Sequence, residues 1–199
     1  MNAMRLAKTA LAAATLVAAT TLGLAQIERL DLQKMVTRAD DAVVGEIVER
    51  EVIRIDHPVD GPELYFTHLT IDGRSLVDGE ELTVVVTYAG GFIDDEHGVW
   101  NSEAPTEAET ALGERVVAFY QWTDNMGGDL AANALYAAHG GVYRTVEGRN
   151  GTVVLGRGEG YAVANNIKLA DLDKQITAIQ VEIDKANGQN GQNGQQKND

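Results

Sequence analysis

Residues 37–55 read TRADDAVVGEIVEREVIRI, and the way this stretch divides decides the fold. Up to Asp40-Asp41 it is the end of a helical entry turn. From Ala42 onward β-branched residues dominate and a rough alternation sets in, with Ile47, Val52 and Ile53 among Glu46, Glu49, Glu51 and Arg54. That pattern predicts a long, bent first strand of a small β-barrel. Gly45 inside it predicts a bulge or a sharp coil where the strand bends.

Upstream, residues 27–37 (IERLDLQKMVT) carry Ile27, Leu30, Met35 and Val36 between charged residues, a short amphipathic helix or turn. Before it lie Arg5 and Lys8, the apolar run ALAAATLVAA at 10–19, and small residues at Gly23 and Ala25. This order predicts a signal peptide over 1–25, cleaved before Gln26. The apolar run is shorter than the roughly 20 residues of a bilayer span, so no membrane span is expected after cleavage. The expected location is bacterial and exported, in the periplasm or the medium.

The chain has no cysteine, so an exported domain must hold itself with one apolar core. Its formal net charge is −14, and the only charged residues that cleavage removes are basic, so the mature chain is more acidic still. Such a surface repels phosphate backbones and anionic lipid, and no nucleic-acid partner is expected.

Downstream, HPVDGP at 57–62 is a loop, because prolines and glycine deny it a ladder. A strand follows from about 64 to 71. Asp78-Gly79 turns the chain into LTVVVTY at 82–88, the plainest strand of all. Residues 92–110, FIDDEHGVWNSEAPTEAET, lose every periodicity and make a long insertion of the kind that is functional or disordered. Strand signals return at 115–122 and, more briefly, near 134–138, 142–146 and 152–155. Leu169, Leu172, Ile176, Ile179 and Ile183 form one helical stripe, which packs on the barrel or pairs with a partner helix. From Asn187 the chain is polar throughout and is expected to be disordered.

The fold class so predicted is mainly β. It is a small OB-like Greek-key barrel, one domain over 26–186, with a short N-terminal helix, a C-terminal amphipathic helix and a tail at 187–199. The stretches ADDAVVGEIVE (39–49), ELTVVVTYAGG (81–91), ALGERVVAFYQW (111–122), VYRT (142–145) and NIKLADLDKQI (166–176) carry a resemblance. Their order resembles a family of uncharacterised bacterial secreted domains. It is also similar to the OB-like barrel of tissue inhibitors of metalloproteinases and netrin-type modules. The resemblance implies a five-stranded, partly open Greek-key barrel that binds through a strand face or its loops. Those inhibitors chelate a protease metal through an N-terminal cysteine, which this chain lacks.

Catalytic patterns are sparse. Ser75, in GRSLV at 73–77, lacks the second glycine of a nucleophile elbow. His57, His68, His97 and His139 are dispersed and show no metal-ligand spacing. The insertion holds the remaining candidates. Asp94, Asp95 and Glu96 gather carboxylates that suit Ca²⁺, although their adjacency matches no calcium-loop pattern. The same carboxylates suit acid–base work in a small enzyme. Phe92, His97 and Trp100 are candidate contacts for a partner, since Trp100 either tucks back onto the barrel or meets another protein. The expected function is a non-catalytic exported barrel that binds a macromolecule, an exported or cell-envelope protein, through residues 92–110, with no cofactor. A cation-dependent protein and a self-associating envelope protein are the alternatives.

Overall fold

A computed structural model describes residues 30–195, so the signal-peptide expectation over 1–25, Ile27 and residues 196–199 lie outside it. The described chain opens with α1 (Leu32–Arg38), capped by the Asp31 carboxylate, which accepts from the Lys34 backbone N–H at 2.8 Å. The strands then follow as β1 (Asp41–His57), β2 (Gly61–Ser75), β3 (Glu81–Ala89), β4 (Gly91–Phe92), β5 (Gly98–Val99), β6 (Arg115–Thr123), β7 (Ala132–Leu135), β8 (Val142–Gly148), β9 (Gly151–Val154) and β10 (Ile167–Lys168). Helix α2 (Leu169–Gln195) ends the described chain. Its bounds run past Asn187, where the sequence places the start of a disordered tail.

Strands β1, β2, β3, β7 and β6 pair in that order, and β6 returns to β1, closing the barrel. Among the described strand pairs only β3–β7 is parallel. This is an OB-like barrel, and it is closed where the resemblance implied one partly open. Closure depends on the length of β1. Residues Val43 to Glu46 pair with β2 on one edge and with β6 on the other, while the distal part of β1 pairs with β2 alone. Past the barrel, β8 continues along the same edge of β6 that β7 occupies, then leads through β9 and β10 into α2.

Two apolar clusters explain the sequence pattern. Val43, Ile47, Leu69, Ile71, Val86, Val116 and Ala118 fill the barrel. Ala42, Val44, Val117 and Phe119 face outward and are covered by Met35, Val36, Leu172 and Ile176 of the two helices. The start of β1 and residues 116–120 of β6 are therefore buried on both faces, which is why they read as unbroken apolar runs. Of the helical stripe, Leu172 and Ile176 are fully buried, and Leu169, Ile179 and Ile183 pack at its margin.

Two local expectations are corrected. Of the bulge and the sharp coil expected at Gly45, the register excludes the bulge, because Gly45 stays opposite Gly73. The extra residue lies between Ile47 and Glu49, just where β1 leaves β6. The β1–β2 turn is also tighter than a loop over 57–62, since His57 pairs with Gly61. A second register irregularity beside Pro62 spares the ladder the N–H that proline cannot supply.

Candidate functional site

The insertion after β3 is an ordered cap on one end of the barrel rather than a slack loop. Gly90 starts it: its N–H donates to the Tyr65 carbonyl at 2.7 Å, and its carbonyl accepts from the buried Thr67 hydroxyl at 2.7 Å. Gly91 lies at φ +131°, and a Cβ there would run into Thr67 and Val52. Only glycine lets the chain cross so close to the strands. The chain then folds into the β4–β5 hairpin, closed by Ile93 N–H donating to the His97 carbonyl at 2.8 Å.

The far end is pinned as firmly. Asn101 donates to the Ala89 carbonyl at 2.9 Å, and the Glu103 carbonyl accepts from the His139 N–H at 2.8 Å. A 3-10 turn, Glu107–Glu109, follows with a reciprocal cap between Thr106 and Glu109. Glu109 is also ion-paired with Arg157. Burial pushes the Glu109 carboxyl up, but the Thr106 N–H and hydroxyl and the Arg157 guanidinium together outweigh it and hold the pKa below its usual range. Buried Thr110 hydrogen-bonds Tyr88 at 3.4 Å.

Between this cap and the barrel mouth lies a cavity of about 450 Å³, walled by Tyr88, Phe92, Val99, Trp100, Ala104 and Pro105. Arg50, Asn101, Ser102, Thr106 and Glu107 supply its polar groups. Trp100 is 76% exposed, so it does not tuck back onto the barrel. Phe92, Ile93 and Val99 are exposed beside it.

The sequence candidates separate into two places. Phe92 and Trp100 share the cavity wall. His97 sits with Asp94 at the hairpin tip instead, its Nδ1 at 2.8 Å from the Asp94 carboxylate. That carboxylate also accepts from the backbone N–H groups of Glu96 and His97. The Glu96 N–H, then the His97 ring, lower the Asp94 pKa. Asp95 and Glu96 point to solvent. Among the described residues no three His, Cys, Asp or Glu side chains converge as a metal site.

Ser75 is buried, donates to Asp41 at 2.8 Å and accepts from two backbone N–H groups, so it serves as a turn anchor. Arg50 and Tyr88 line the cavity without any signal in the sequence. Arg50 reads as one charge in a charged run, and Tyr88 as one residue of a core strand. Comparison with protein-family models, with curated proteins and with solved structures finds no match to this chain.

Proposed function

We propose that this chain is an exported, non-catalytic OB-like barrel domain that binds another macromolecule, a protein of the exported or cell-envelope compartment, through residues 92–110. The exposure of Trp100 carries the reading. A large ring held out on a hairpin that is pinned at both ends is a pre-organised anchor, and binding loses little entropy in using it. Phe92, Ile93 and Val99 widen the same surface into an apolar patch. The acidic chain around it favours a basic partner surface at the rim.

The test is a pull-down from native exported material with wild type and Trp100→Ala. The variant is expected to lose proteins that the wild type retains. Identical sets of retained proteins would remove residues 92–110 as the contact surface.

A further inference from the structure

Arg50 stands on the wrong side of β1 for a charge. The strand's inner face runs through Val43 and Ile47, and Ile47 pairs with buried Ile71. With strict alternation Glu49 would come next. The register shift between Ile47 and Glu49 instead sets Arg50 opposite Leu69 and Val52 opposite Thr67, both fully buried. Leu69 and Thr67 in turn pair with Val86 and Tyr88 on β3. Arg50 therefore rises from the barrel's interior row into the cavity under the cap. Bulges re-aim side chains in this way beside binding sites.

Among the described residues no carboxylate pairs with it. The Arg50 Nε is shut off from solvent and has no hydrogen-bond partner. Its sequence neighbours Glu49 and Glu51 are exposed, and the Glu49 carboxylate accepts from Thr70 at 3.2 Å. Glu107 lines the same cavity from its exposed rim and makes no ion pair with Arg50. By contrast the half-buried arginines Arg74, Arg144 and Arg157 each hold a carboxylate, from Asp173, Glu114 and Glu109. In a chain with 30 acidic residues, an inward guanidinium left without one is a position kept for a ligand's anion.

We infer that the cavity binds a monocarboxylate with an apolar, aromatic-sized body, its carboxylate on Arg50 and its body between Phe92, Trp100 and Tyr88. The guanidinium fork matches a carboxylate's two oxygens. A single cation inside a chain of net charge −14 disfavours a phosphate dianion. The mainly apolar wall calls for a hydrophobic body, and about 450 Å³ lies in the range of small-ligand sites. Two sources present this chemistry: a free organic acid, and the C-terminal carboxylate of a polypeptide with its last side chain. The inference does not require the macromolecule reading, although the second source would join the two.

The experiment titrates the full chain with 3-phenylpropionate, N-acetylphenylalanine, N-acetylphenylalanine amide and inorganic phosphate. Binding is read by calorimetry and by tryptophan fluorescence, with Trp100→Phe identifying the reporter. Both acids are expected to saturate, the amide to bind at least tenfold more weakly, and phosphate to leave the signal unchanged. Arg50→Gln is expected to bind acid and amide alike. Equal affinity of wild type for N-acetylphenylalanine and its amide, no binding of either acid, or an unchanged acid preference in Arg50→Gln would overturn the site. If Arg50→Gln does not fold, the Nε–Hε resonance of Arg50 in the wild type decides: it moves on adding 3-phenylpropionate, or the proposal fails.

Pull-down from exported material with Arg50→Gln then separates the sources. Loss of proteins retained by wild type assigns a polypeptide terminus, and their retention assigns a free acid. Failure of the macromolecule reading shows instead in Trp100→Ala, so the two can fail independently.

Discussion

Gly45 of β1 and Gly73 of β2 stand directly opposite each other, and each lies against the other strand's backbone. A Cβ on Gly45 would collide with the Asp72 carbonyl, and one on Gly73 with the Val44 carbonyl. This double absence of side chains lets β1 coil tightly enough to hold β2 and β6 at once. Gly45→Ala and Gly73→Ala are each expected to cost about 2 kcal/mol or more through overpacking of backbone that cannot retreat. Urea midpoints of the two variants measure it.

The Glu109–Arg157 pair ties the far end of the cap to the segment after β9, and both side chains are largely buried. Glu109→Gln is expected to destabilise by about 2 kcal/mol, below the roughly 3–5 kcal/mol of a fully buried pair because this one is partly exposed. The native pKa lies below the ordinary value of 4.5, so the stabilisation is fully present above that value. It is lost as pH falls through the depressed native pKa. Urea midpoints of wild type and Glu109→Gln should therefore differ at neutral pH and converge in acid.

Trp100→Ala is expected to leave stability within about 0.5 kcal/mol of wild type, because the ring is mostly in water. The same variant loses partner retention. A large drop in the melting midpoint would instead mean that the ring holds the cap together.

Ile176 is fully buried between α2 and the outer face of the barrel, while Ile179 packs at its edge. Ile176→Ala should cost about 2–4 kcal/mol, and Ile179→Ala clearly less. Self-association through this stripe would require Ile176 to face a second copy. Sedimentation of Ile179→Asp should accordingly show the same mass as wild type.

The carboxylate of Asp94 already accepts hydrogen bonds from its own turn, and Asp95 and Glu96 point away to solvent. Thermal melts of residues 26–199 with chelator and with excess Ca²⁺ are expected to give one midpoint. A rise of several degrees with Ca²⁺ would show that the tip rearranges into a site.

Local periodicity determined most of the architecture. The switch at Asp40-Asp41 from helix to strand, the runs at 82–88 and 115–122, and the stripe from Leu169 to Ile183 each express burial by neighbours on a fixed side of an element. Side-chain period alone carries that information. It also marked residues 92–110 as a segment outside the barrel, and Phe92 and Trp100 as its conspicuous rings. Tertiary structure decided the rest. Whether the barrel closes depends on β1 reaching both β2 and β6, a pairing between residues some seventy positions apart in the chain. The cap's order comes from bonds to Tyr65, Thr67, Ala89 and His139, none of them visible as periodicity. Above all, the inward aim of Arg50 hangs on one extra residue beside Ile47. A strand's alternation has period two, so a single bulge exchanges its faces, and only the paired strand reveals where that exchange occurs.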